Sequence, residues 1–184
     1  GGLDRRGRGI VPRLSKKALH EHLIAALDGK ARPVSSLTKM PLLLDCEVPL
    51  PQRLRVYAYN LVGGVGTVRD FEYKGVLRVV KHPVGEKRNF DFSGDRFVVN
   101  IAYGEDLDVW VLWDASLQQP FTNGRNIQVR TDTVTLAAAL GVATQERTLK
   151  GRVVETVLVC TTARLPETLN RRIDLTGGVD ATAL

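Results

Sequence analysis

Of its 184 residues this chain gives only two to cysteine and three to histidine. Cys46 and Cys160 are far apart and show no metal-ligand spacing, so two reduced thiols of a cytosolic protein are expected rather than a disulfide or a zinc site. His20 and His22 stand two apart on an expected helix. They point about 200° apart around its axis and cannot chelate one ion together. His82 is isolated before Pro83. No metal site and no histidine-based catalysis are therefore expected. The chain also lacks an apolar run near the roughly 20 residues of a membrane span. Its start is rich in glycine and arginine, unlike a signal peptide. A cytoplasmic protein without a membrane partner follows as the expectation. Aromatics make up only 6% of the sequence, yet both tryptophans and three of the five phenylalanines fall between Asn89 and Asp114.

The chain has ordinary globular composition, 43% hydrophobic and 25% charged, with a net charge of +6. That balance supports one packed domain and favours an anionic partner, nucleic acid first. Residues 1–14, with Arg5, Arg6, Arg8 and Arg13 among glycines, read as a flexible basic arm. Residues 15–175 read as a single domain, and residues 176–184 as a tail or linker toward a separate catalytic domain. Ser15 can cap a helix whose Leu19, Leu23 and Leu27 recur every four residues, and Gly29 supplies its stop. From Arg53 the period changes to two: RLRVYAYN alternates Leu54, Val56 and Ala58, a core face, with Arg53, Arg55, Tyr57 and Tyr59. Gly63, Gly64 and Gly66 then suggest a turn into VRDFEYKGVLRVV and a long hairpin. No helix follows these glycines, so a phosphate-cradling loop is not expected. RFVVNIAY, LDVWVLWD, NIQVR and RVVETVLVC read as further strands. TDTVTLAAALG reads as a short helix, and LPETLNRRI as a closing helix with Pro166 in its first turn. The expected fold class is α+β: a curved, mostly antiparallel sheet or open β-barrel with helices at the N- and C-terminal ends.

Within 89–114, Val109, Val111 and Trp113 share one side of a strand, and Trp110 and Leu112 the other. Asp114 ends that strand beside a loop running to Arg125 and Asn126. A base drawn out of a duplex needs ring faces around it and hydrogen-bonding groups on its Watson–Crick edge. Aromatic, Asp and Asn side chains supply these. The candidate base pocket is Tyr59, Asn60, Phe90, Asp91, Tyr103, Trp110, Trp113, Asp114 and Asn126. Tryptophan and phenylalanine on strands are, however, more often core than pocket. Candidates for the DNA backbone are Arg53, Arg55, Arg69, Lys74, Lys81, Lys87, Arg88 and Arg125, because they flank that pocket in sequence. Arg171 and Arg172 suit the closing helix dipole without DNA.

FEYKGVLRV at 71–79, KRNFDFSGDRFVV at 87–99, LDVWVLWDA at 107–115 and GRNIQVR at 124–130 together resemble the amino-terminal recognition domain of modification-dependent (type IV) restriction endonucleases. That group includes the McrA-like HNH nucleases and proteins similar to the AspBHI amino-terminal domain. The resemblance covers roughly residues 53–165. It implies a bacterial module that reads double-stranded DNA carrying modified (5-methyl)cytosine by base flipping, with a fold related to SRA domains. It also implies no cofactor for this domain, a divalent metal being expected only in a separate nuclease domain. Two alternatives stand beside it. Glu72-Tyr73-Lys74 matches the E-x-K half of a PD-(D/E)xK nuclease, with Asp45 upstream as a second Mg²⁺ carboxylate. The other alternative is a protein-interaction module without base reading.

Overall fold

The computed structural model describes residues 14–63, 72–77 and 83–180; the arginine-rich arm, Arg69, Lys81 and His82 lie outside them. In chain order the elements are α1 (Lys16–Ala26), β1 (Ala31–Pro33), β2 (Leu42–Cys46), β3 (Arg53–Asn60), β4 (Val62–Gly63), β5 (Glu72–Val76), β6 (Lys87–Arg88), β7 (Phe97–Gly104) and β8 (Val109–Trp113). There follow β9 (Phe121–Thr122), β10 (Asn126–Arg130), α2 (Thr131–Leu140), β11 (Val142–Thr148), β12 (Val153–Thr161), α3 (Leu165–Asp174) and β13 (Val179–Asp180).

The fold is α+β around one large open sheet, ordered β1-β2-β3-β7-β8-β12-β11 with β13 added beside β12. Every pairing in it is antiparallel except β3 with β7. Two small sheets, β10-β5-β4 and β6-β9, complete the strands. The expected curved, mostly antiparallel sheet is present, and it does not close into a barrel.

Both faces of the large sheet are covered, and this decides where most side chains go. One core holds Leu54, Val56, Ile101, Trp110, Leu112 and Leu158 against Leu19 and Leu23 of α1 and Leu165 and Leu169 of α3. The other holds Tyr57, Tyr59, Val111, Trp113, Val157 and Val159 against Tyr73, Ile127 and Val129 of the small sheet and Val134 of α2. Ser15 caps α1, its hydroxyl accepting from the Ala18 amide at 3.1 Å, and Gly29 follows with a φ of 72°.

The expected long hairpin forms only at its turn end, where Val62 and Gly63 of β4 pair antiparallel with Lys74 and Tyr73 of β5; RLRVYAYN itself does not pair with the FEYKGVLRV segment. β3 pairs in parallel with β7, register Leu54 with Phe97 through Asn60 with Tyr103. A parallel neighbour requires a crossover connection, and β4, β5 and β6 lie within it. Strand β5 instead pairs with β4 and β10. Residues 176–180, expected as tail or linker, join the fold: the Gly177 amide donates to Asp114 at 2.7 Å, and β13 pairs with β12.

Candidate nucleic-acid interface

Covering both sheet faces removes most of the expected base pocket from the surface. Trp110 and Trp113 are fully buried on opposite faces. The Trp110 indole N–H donates to Thr162 Oγ1 at 3.1 Å and that of Trp113 to the Gln128 carbonyl at 3.0 Å. Tyr103 packs with Trp110 and His22, ring centroids 4.5 Å from each. Its hydroxyl donates to Asp108 at 2.6 Å, and burial first, then that bond, pushes its pKa up. Phe90 packs at tilted angles between the Tyr57 and Phe121 rings, and Tyr59 is in the same core. The Asn60 amide is bonded through both its atoms to the Leu14 backbone. Asn126 is exposed at the start of β10. The aromatic residues therefore pack two cores, Tyr103 and Trp110 in one and Tyr59, Phe90 and Trp113 in the other, and the structure does not bring the set together in one cavity.

Asp114, read as a hydrogen-bonding group for a base, is 1% exposed. Its Oδ1 accepts from the amide and hydroxyl of Ser116 at 3.0 and 2.6 Å. Its Oδ2 accepts from Gly177 and lies 3.7 Å from Arg172. Arg172, assigned from sequence to the helix dipole, is instead in the core, donating to the Leu112, Thr156 and Leu175 carbonyls. Beside it Glu155 is also buried, accepting from the Asp114 amide and the Gln118 side chain and pairing with Arg147 at 2.9 Å. Burial raises the Glu155 pKa despite these partners. Reasoning from the sequence missed this network. Glu155 shares strand parity with Val157 and Val159, which marks it as facing a core, but Arg172 gave no such sign.

Two segments, residues 83–97 and 113–126, run side by side at the loop end of the sheet, and they hold the exposed functional chemistry. A mostly apolar cleft of about 170 Å³ lies where they meet the end of α3, with Phe92, Phe97, Val98, Trp113 and Ala115 on its walls beside the polar Arg96, Asp114, Ser116, Arg172 and Thr176. Phe92 is 44% exposed at its lip. The loop carrying Phe92 is fixed from below. Buried Arg55 donates to the Asp91 and Ser93 carbonyls, both at 2.7 Å, and lies 3.4 Å from the Asp91 carboxylate. The Asp91 amide donates to the Tyr57 hydroxyl at 3.1 Å. Hydrogen bonds from Ser93, foremost, hold the Asp91 pKa low. Arg55 and Asp91 thus act as loop supports, whereas sequence placed them on DNA and in the pocket. Phe92 was not among the expected site residues. Its signal was the Ser93-Gly94-Asp95 turn, since a phenylalanine held by a turn cannot sit in a strand core.

The same two segments gather cations. Lys87 pairs with Thr122 and Arg88 with Phe121 across β6 and β9. The Arg125 carbonyl accepts from the Leu77 amide at 2.8 Å, just past β5. Lys87, Arg125 and, on β5, Lys74 are exposed. Arg88 is bound to Glu86. Arg53 stands apart, opposite Asp45. The trio proposed for a nuclease is not assembled. Asp45 pairs with Arg53 at the start of β3, whereas Lys74 pairs with Val62 beyond its other end, and β3 itself spans about 23 Å at ~3.3 Å per residue. Asp45 is also committed to Arg96 at 3.0 Å and Arg32 at 3.6 Å.

Both cysteines are free, and burial raises their pKa values to about 11 for Cys46 and about 12 for Cys160. Among the described residues no helix is long and apolar enough to cross a membrane, and no cluster of three or more His, Cys, Asp or Glu could hold a metal. No curated protein and no solved structure matches the chain. A family model, Methylase-associated X1, matches residues 52–169. That span runs from β3 into α3 and includes the cleft lining except Arg172 and Thr176, the cationic segments and most of both cores. With more than half of its length matched, the chain belongs to the Methylase-associated X1 family, which links it to methylation and restriction systems.

Proposed function

We propose that this chain is a DNA-binding module of a methylation-linked restriction system, reading modified cytosine in duplex DNA as the specificity part of a modification-dependent endonuclease. The observation that carries the reading is the juxtaposition, on two adjacent segments, of exposed Phe92 over an apolar cleft and the exposed cations Lys87 and Arg125. The cations neutralise phosphates and supply salt-dependent affinity. Phe92 offers a stacking face worth about 1 to 3 kcal/mol per base, which offsets much of the few kcal/mol needed to flip a nucleotide. A cavity of about 150 Å³ holds a benzene ring, so the cleft is on the scale of one pyrimidine, and the Phe92, Phe97, Val98 and Ala115 part of its wall suits a 5-methyl group.

Fluorescence polarisation with matched methylated and unmethylated duplexes tests this reading, and tighter binding of the methylated duplex is expected. Equal, salt-sensitive affinity for both would remove base reading and leave non-specific DNA binding. No binding at low salt would remove DNA altogether. Under this reading the chain alone does not cleave DNA with Mg²⁺, and cleavage lost in Lys74→Ala would restore the nuclease alternative.

A further inference from the structure

The two edges of the large sheet are built differently. At one end β1 is three residues long and closes with Pro33, a short edge that resists pairing with another chain. At the other, β11 runs for seven residues, Val142–Thr148, with no proline, and among the described residues it pairs only with β12. An open edge of that length is a template for a further strand.

An apolar stripe runs beside this edge. Helix α2 turns Thr133, Val134 and Ala137 inward, while Leu136 is 51% and Leu140 67% exposed. At about 100° per residue the two leucines share one flank of the helix. Val142, two residues on, begins the edge strand and faces the other side of the sheet, 37% exposed. On the opposite sheet face a groove of about 360 Å³ follows β11, with Val142, Thr144 and Leu158 meeting Arg164, Thr168 and Arg171 of the α3 side. Arg164 is paired with Glu167. Arg171 and, on β11, Glu146 are exposed and have no ion-pair partner among the described residues.

We propose that this edge binds a second copy of the chain, β11 against β11, in an antiparallel two-fold pair centred on Gln145. Self-complementarity is what selects a second copy over another occupant. The two-fold places Glu146 of each chain opposite Thr144 of the other, on the groove face and toward the unpaired Arg171. It also sets the Leu136 and Leu140 flanks of the two α2 helices side by side on the other face. An isologous interface requires this self-matching of charge and apolar surface. Two large sheets would then join into one, and the dimer would carry two cleft-bearing ends.

Sedimentation velocity of the full chain across a dilution series is the test, with thermal unfolding confirming that each variant is folded. The wild type is expected to dimerise. Leu140→Glu, which sets a carboxylate into the paired helix flanks, should weaken the dimer at least ~10-fold. Glu146→Lys should weaken it too, and Glu146→Lys with Arg171→Glu should restore it. A control at Val84, an exposed apolar residue away from β11, should leave it unchanged. A wild type monomeric at every soluble concentration, or a dimer indifferent to Leu140→Glu and Glu146→Lys, overturns the proposal.

Discussion

The loop 89–96 and strand β8 are only a dozen residues apart and carry the same chemistry, aromatic rings beside carboxylates, yet they have opposite fates. In β8 both faces meet a packed layer, so Trp110 and Trp113 fill two cores, and Asp114 is enclosed by Ser116, Gly177 and Arg172. In the loop, Gly94 and Asp95 adopt positive φ angles of 75° and 56°, the chain turns, and Phe92 is left outside over a cleft. The difference shows that residue type does not set the role here. Burial commits a carboxylate such as Asp114 to partners within the fold, whereas a loop held by a rigid frame can present a side chain to a partner.

The comparison breaks most sharply in stability. Arg172→Met should cost about 3 to 5 kcal/mol, because it leaves the Asp114 carboxylate buried without its cation. Pairing it with Asp114→Asn should recover part of that loss, as measured by urea unfolding. Trp113→Ala opens a core cavity and should cost a similar ~3 to 5 kcal/mol. Phe92→Ala, in the loop, should stay within about 0.5 kcal/mol of wild type, as exposed substitutions do. If Phe92→Ala proved as destabilising as Trp113→Ala, the loop would belong to the core and the site would be lost.

Binding inverts the order. Phe92→Ala should remove about 1 to 3 kcal/mol of DNA affinity and reduce discrimination between methylated and unmethylated duplexes. Lys87→Ala and Arg125→Ala should each lower the slope of log affinity against log salt by about 1, with little effect on discrimination. Polarisation titrations at several salt concentrations separate the two classes. A Phe92→Ala protein that binds and discriminates as wild type does would show that the cleft is not where the base is read.

Much of the fold was legible because it rests on local rules. The Leu19, Leu23, Leu27 spacing and the Ser15 cap located α1, and Pro166 located the start of α3. Period-two runs located β3, β7, β8, β10 and β12. Side-chain parity in β8 was also readable, Trp110 with Leu112 against Val111 with Trp113. What the sequence did not reveal is that a second layer covers the Tyr57 and Tyr59 face of β3, which looked polar because Arg55 shares it. Arg55 is buried there, bonded to the carbonyls of a loop 36 and 38 residues away. Such long-range partners have no local pattern, and the Asp114–Arg172 pair is of the same kind. The site suffered more than the fold because a pocket is defined by what remains uncovered, and coverage is a tertiary property.

The smallest expected effect lies on the side of the core and depends on pH. His20 is fully buried on α1, with Nδ1 2.7 Å from the Leu37 carbonyl. A carbonyl only accepts, so Nδ1 carries the proton of a neutral ring. Burial, foremost, lowers its pKa below the usual value, the Leu37 carbonyl opposing and Lys16 assisting. Between that lowered value and about 6.5, the unfolded chain binds a proton that the native chain does not. Stability supplied by neutral His20 is therefore complete above about pH 6.5 and is lost as pH falls through that window. Glu155 acts in the opposite sense, because its raised pKa favours the native state as pH falls. Asp108, held low against its burial by Thr162, Tyr103 and His22, titrates below the range. Unfolding free energy measured from pH 7 to pH 5 should consequently fall less steeply in His20→Asn than in the wild type. An unchanged slope would mean that His20 is protonated in the native state and that the α1 layer opens to water more readily than its burial indicates.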